Sequence, residues 1–178
     1  MARRTSVSLV FMVSLLAMIY SEKGWAVEAS AKADFIIKLI DFVEWPAGKG
    51  TDAGGAVVIA CVGESPVNAA LVDAAAKKST EGLKVTVKTV TPGDPLAGFQ
   101  MVFIGTCDKA DLAKVMKAVG TAPTLTISNC TNFARFGVMV NILEESEGSK
   151  VKFEVNTLTV KEAGLKIGAH LLKLATVI

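Results

Sequence analysis

Three cysteines, one histidine, an acidic cluster and a glycine turn are the places where this chain could do chemistry. His170 has Lys166 at i−4 and Lys173 at i+3, which puts it on a charged helix face. With no second histidine, this spacing offers neither a metal pair nor an acid–base relay, and His170 reads as a solvated side chain. Glu144, Glu145 and Glu147 crowd one segment but lack the ligand spacing of a calcium loop, so they read as a solvated turn. No G-x-S-x-G elbow marks a serine hydrolase. Gly63-Glu64-Ser65-Pro66 opens a helix whose free N–H groups could cradle an anion. G-x-G-x-x-G and Walker patterns are absent, however, and Glu64 would repel phosphate, so the segment reads as a plain strand-to-helix turn. No catalytic residue, metal ligand or cofactor site is assigned.

The cysteines carry more information. Cys61 lies inside an apolar run, whereas Cys107 and Cys130 each follow one. Aligning Ile104-Gly105-Thr106-Cys107 with Ile127-Ser128-Asn129-Cys130 sets both at one height on the carboxyl edge of neighbouring strands. That register suits disulfide distances. In an oxidising compartment a Cys107–Cys130 bond is the expectation; a bond from Cys61 to either, or none at all, are the alternatives. Asn129-Cys130-Thr131 also matches a glycosylation sequon, relevant only where the source glycosylates its exported proteins.

The elements that must position these residues alternate. Residues 31–43 place Phe35, Ile36, Leu39, Ile40 and Val43 on one helical stripe, with Lys32, Lys38 and Asp41 on the wet side. Trp45-Pro46 stops that helix, and Trp45 is either a core anchor or a surface contact. Ala56–Val62 is apolar throughout, as in a strand covered on both faces. Ser65 and Pro66 then suit the N-cap and first position of a helix over 67–76. Leu83–Val90, Gln100–Gly105 and Pro123–Ser128 follow as strands, with a helix from Asp108 to Val119 between the last two. Such β/α alternation predicts an α/β fold with a mainly parallel sheet and right-handed crossovers. Gly137–Asn156 ends it differently: two apolar runs flank a polar tip, and Val151, Phe153 and Val155 alternate with Lys152 and Glu154. This is a β-hairpin with a long loop, in which Asn141 and Asn156 are odd residues. AGLKIGAHLLKLATVI is expected as a closing helix.

Residues 1–26 stand outside this domain. Arg3 and Arg4 precede an uncharged apolar run, Val7 to Tyr20, and small residues follow. A run of about 14 residues is short for a membrane span, which needs roughly 20. The pattern is a signal peptide, with cleavage after Ala26 favoured over Ala29 or Ala31. Residues 27–178 then form a single domain. The leader holds Arg3, Arg4, Lys23 and Glu22; removing three cations and one anion from totals of 19 and 17 leaves no net charge. Without a basic block, nucleic acid is not an expected partner.

Several separated motifs resemble one family. Phe42-Val43-Glu44-Trp45-Pro46 is similar to its F-V-E-W-P, and Cys61-Val62-Gly63 with Pro66 to its C-V-x-G-x-x-P. Leu125–Ser128 with Phe133, Gly137, Met139 and Asn141 resembles L-T-V-S…F…G-x-M-I-N. Val151–Asn156, Ala163–Ile167 and Leu171–Ala175 resemble V-R-F-E-I-N…A-G-L-K-I-S-S-x-L-L-x-L-A. These motifs, in order from Ala31 to Ile178, are those of the YfiR-like exported proteins. The resemblance implies a periplasmic, non-enzymatic regulator of mixed α/β fold. It would repress a membrane diguanylate cyclase through that enzyme's periplasmic sensing region and so lower cyclic-di-GMP and biofilm formation. An outer-membrane lipoprotein is an implied further partner, and a second copy of the chain another. The chain departs from the pattern at Gln100, where members often carry cysteine, and at Gly168-Ala169, which replaces S-S. The family cysteines around G-x-M-I-N are absent, while Cys107 and Cys130 are additional.

Two regions suit contact with such a partner. One is the Phe42–Pro46 corner with Trp45; the other is the loop 132–137, NFARFG, where Phe133 and Phe136 flank Arg135. Arginine and aromatics are enriched at binding hot spots, although both phenylalanines could equally plug the sheet edge. The alternative function is small-molecule binding in a carboxyl-edge cleft lined by Gly63, Ser65, Thr106 and Asn129, since open α/β sheets bind ligands there. The leader reading has a direct check. N-terminal sequencing of the periplasmic protein is expected to begin at or near Val27; a full-length species held in the inner membrane would exclude a cleaved signal.

Overall fold

The computed structural model describes residues 26–105, 108–143 and 151–178. Its centre is a seven-stranded sheet ordered β3-β2-β4-β5-β6-β7-β9. These strands are β2 (Val57–Val62), β3 (Val85–Val90), β4 (Met101–Ile104), β5 (Leu125–Ser128), β6 (Val140–Ile142), β7 (Phe153–Val155) and β9 (Thr176–Val177). Only the β6–β7 pair is antiparallel. The mixed α/β, mainly parallel fold and the antiparallel C-terminal hairpin strands are therefore as the sequence indicates.

Alternation along each central strand feeds two cores. Val57, Ile59 and Cys61, Met101 and Phe103, and Leu125 and Ile127 face one side. Ala60, Val62, Val102 and Ile104 face the other. The first face is covered by α1 (residues 26–39) and α2 (Pro66–Thr80), the second by α3 (Lys109–Val119). Ser65 caps α2, its Oγ accepting from Val67 N at 3.2 Å, and Asp108 caps α3, its Oδ1 accepting from Asp111 N at 2.8 Å.

Two expectations are corrected. Lys32 is buried, because it lies on the same α1 stripe as Ala29, Ala33 and Ile36. Its aliphatic stem packs inward while Nζ pairs with Glu28 at 2.8 Å. The C-terminal segment is not one helix. A short helix α4 (Thr157–Glu162) is followed by Gly164 at φ +71°, a left-handed conformation that favours glycine. Then come a two-residue strand β8 (Lys166–Ile167), one helical turn α5 (Ala169–Leu172) and the edge strand β9. β8 pairs antiparallel with β1 (Val43–Glu44), so the chain after the hairpin folds back onto the end of α1.

Polar side chains complete the backbone bonding where the ladder runs out. Gln100 is buried, and its Oε1 accepts from Val58 N at 2.9 Å. Gln100→Leu keeps the volume but leaves that buried N–H without an acceptor, a loss of about 1–3 kcal/mol. Urea denaturation is expected to show a lower midpoint at unchanged slope; an unchanged midpoint would mean that Val58 N finds another acceptor.

Candidate functional site

Of the expected cleft residues, Gly63, Ser65 and Asn129 lie at the carboxyl edge, where the turn after β2 packs against the end of β4. Gly63, at φ +78°, turns the backbone after β2, and its carbonyl accepts from Asn68 Nδ2 at 2.9 Å. A Cβ placed on Gly105 would stand 2.8 Å from Ser65 Cβ and 3.2 Å from Glu64 O. The turn thus packs directly on the end of β4, and only glycine permits that approach. Asn129 lies at the same carboxyl edge, beyond β5, with its Oδ1 buried and without a partner among the described residues. Thr106 lies outside the described residues.

The cysteine register is a correction. The β4–β5 ladder pairs Ile104 with Ser128 and Phe103 with Ile127, one residue away from the alignment that set Cys107 level with Cys130. A one-residue slip exchanges the faces of all side chains, so the alignment no longer supports the expected pairing. Cys130 is a free thiol that donates to Gly105 O, and Cys107 lies outside the described residues. A Cys107–Cys130 bond therefore stays a proposal. Cys61 is buried, and burial pushes its thiol up to about 11, which keeps it protonated and unreactive.

The crossover from β5 to β6 is the better-built feature. Ser128 Oγ donates to Ile104 O and accepts from Cys130 N, each at 2.9 Å, which fixes the start of the loop. A 3-10 turn over Phe133–Phe136 follows, bracketed by Asn132 at φ +66° and Gly137 at φ +98°. Phe133 and Ala134 are buried, and Phe133 joins the core on the α3 side. Arg135 is exposed, and Phe136 retains 48% of its surface. Phe133 thus plugs the sheet edge, while Phe136 is left exposed. Ala134 O accepts from Asn156 Nδ2 at 3.0 Å, while Asn156 Oδ1 caps α4 by accepting from Thr159 N at 3.2 Å. Asn156, unusual after a strand, thereby ties the loop to the hairpin.

Lys109, at the start of α3, holds Nζ 4.9 Å from the centre of the Phe136 ring. Nothing local in the sequence marks this contact; only packing of α3 against the crossover creates it. Trp45 is half-buried against the other core, so the two expected contact regions lie on opposite faces of the sheet. Its Nε1 is buried without a partner.

A groove of about 860 Å³ also escaped sequence reasoning. Phe35, Phe42, Phe153, Leu171 and Leu174 make it apolar, and Lys38, Lys152, His170 and Asp34 lie around it. Phe35 and Phe153 touch in its lining, with ring centres 4.7 Å apart and planes tilted by 46°. It lies at the junction of α1, β7 and α5, far in sequence from the residues expected to bind ligand. His170 is exposed, but the expected helix face with Lys166 does not form, since Lys166 lies in β8. Glu144, Glu145 and Glu147 lie outside the described residues, and no group of three or more His, Cys, Asp or Glu among the described residues could hold a metal. No described helix is long and apolar enough to cross a membrane.

Two solved structures share the architecture. The ABC domain in complex with L-Trp from Streptococcus pneumonia aligns with a TM-score of 0.53 at 13% identity, covering 84% of this chain and 60% of that one. A conserved domain protein from Vibrio cholerae aligns at 0.52, with 13% identity and 83% and 59% coverage. This chain thus spans about 60% of the length of the first, and at such identity the likeness is one of fold. No curated protein sequence matches. The YfiR/HmsC-like family model matches residues 29–176, nearly all of the described domain. The chain belongs to the YfiR/HmsC-like family.

Proposed function

We propose that this protein is a periplasmic, non-enzymatic regulator that binds the periplasmic sensing region of a membrane diguanylate cyclase and represses it. Family membership supplies the class of partner. The observation that carries the site is the crossover loop, which buries Phe133 and Ala134 while presenting Arg135 and Phe136 to solvent. A segment so anchored loses little conformational freedom on binding, and an arginine beside an aromatic is the composition of a hot spot. Repression requires that the surface fit the inactive cyclase better than the active one, by about 1.4 kcal/mol for each tenfold shift. An outer-membrane lipoprotein that competes for the same regulator, and a second copy of this chain, are further partners of this reading. The cell is the test. Arg135→Ala, at wild-type protein level and with unchanged melting, is expected to raise cyclic-di-GMP toward the level of a deletion strain. Wild-type cyclic-di-GMP in that variant, where deletion does raise it, would remove this loop from the contact.

The groove between α1, β7 and α5 supports a second reading, small-molecule binding. Its volume falls in the range of ligand pockets, and it is apolar with a few polar groups at its rim. One structural neighbour is described in complex with L-Trp, which makes an apolar amino acid the first ligand to try. Bound at a hundredfold excess over Kd, such a ligand adds about 2.7 kcal/mol and raises the melting temperature by several degrees. A flat melting temperature up to millimolar L-tryptophan would count against the groove as its site.

A further inference from the structure

We infer that the Lys109–Phe136–Arg135 surface receives an acidic segment of the protein partner, with carboxylates engaging the two cations around an apolar side chain that covers the Phe136 ring. The inference rests on the regulatory reading above and states the chemistry that its partner must bring.

The argument begins with how the local charges are used. Both acids near the start of α3 are occupied. Asp108 Oδ1 accepts from Asp111 N at 2.8 Å as the helix cap, and Asp111 Oδ1 takes Lys114 Nζ at 2.8 Å. Lys109 and Arg135 enter no ion pair among the described residues, although both are exposed. Lys109 instead lies over Phe136, 4.9 Å from the ring centre. A cation over an aromatic face uses the negative side of its quadrupole, so that face of the ring is not open to a second cation. A basic partner would meet repulsion from both side chains with nothing to offset it. A neutral apolar partner would bury Phe136 while taking water from an ammonium and a guanidinium, with no charge in the partner to offset the cost. An acidic partner meets no repulsion, its carboxylates offset that loss of water, and Arg135 can take a carboxylate through two parallel hydrogen bonds.

The surface is also held in shape. Asn132 and Gly137 sit in left-handed conformations at either end of the turn, and Gly137 N donates to Ala134 O at 3.2 Å. Asn156 Nδ2 donates to the same carbonyl from the hairpin side at 3.0 Å. The cations are thus presented by structure already ordered in the free protein.

The probe is the purified periplasmic region of the diguanylate cyclase whose output rises when this protein is deleted. Its binding to the mature protein is measured at about 50 and 300 mM salt. The wild type is expected to weaken with salt, and Lys109→Glu and Arg135→Glu each to bind about tenfold more weakly with a flatter salt dependence. The double variant is expected to lose about a hundredfold or more. Lys84→Glu, an equal charge change outside the surface, is expected to bind as wild type, and all variants to melt alike. Binding that ignores salt and both reversals would overturn the acidic-partner inference while leaving the regulatory reading intact. No binding by the wild type would overturn both. Retention on phosphatidylglycerol vesicles that is lost in the double variant, with cyclase binding unaffected, would reassign the surface to a membrane.

Discussion

Burial of β2, β4 and β5 on both faces is the constraint from which the architecture follows. All six residues of β2 and all four each of β4 and β5 are buried, so neither side of these strands can face water. Apolar faces on both sides need cover on both sides, and parallel strands need long crossovers; helices on opposite faces satisfy both demands at once. Phe103, fully buried at the centre of β4, belongs to the core shared with α1 and α2, whereas its neighbours Val102 and Ile104 belong to the core shared with α3. Like the β3–β4 connection, which has no helix, the β5–β6 connection departs from the helical crossover. It returns to a parallel neighbour with a 3-10 turn in place of a full helix, so that face is closed by Phe133 and Val138 and less of the loop is hidden.

Polar residues at the strand ends make this arrangement tolerable. Gln100, Thr126 and Ser128 are buried, yet each bonds backbone that the ladder leaves open, at Val58 N, Met139 N and Ile104 O. Gln100 does so at the amino edge of the sheet, whereas Thr126 and Ser128 do so beside the β5–β6 crossover. Asn141 differs: it is 1% exposed, and neither of its amide atoms has a partner among the described residues. Burying such a group costs about 1–3 kcal/mol, which the packing of Val140 and Ile142 beside it must offset.

What was legible in the sequence was what depends on near neighbours. The two-sided apolar runs announced covered strands, Ser65 and Asp108 announced helix starts, and Val151 to Val155 announced the hairpin. Register was not legible, because it depends on how crossovers of different length set one strand against the next; Ile104 meets Ser128 and not Ile127. The last segment was misread because its apolar spacing suits a helix, while Gly164 and pairing of Lys166–Ile167 with Val43–Glu44 decide otherwise. Arg135 and Phe136 could be chosen from composition. Lys109 could not, since it reaches Phe136 only after α3 has packed beside the crossover.

A low net charge, +2 for the full chain, is compatible with a locally charged surface because local distribution, not the total, governs association. Here Lys78, Lys114 and Lys166 each face a carboxylate, and Asp52, Asp94 and Asp108 spend theirs on backbone N–H groups in turns and caps. Backbone hydrogen bonding holds Asp52 and Asp94 below the usual carboxylate range, so these acids stay ionised yet are engaged within their own loops. Lys109 on α3, and Arg135 on the crossover fixed by Phe133, Ala134 and Asn156, enter no ion pair among the described residues. A surface of this kind attracts weakly at a distance and discriminates at contact. That suits a regulator that must choose between two conformations of one target, because a rigid charged patch rewards the conformation whose carboxylates are already in place and gains little from the other.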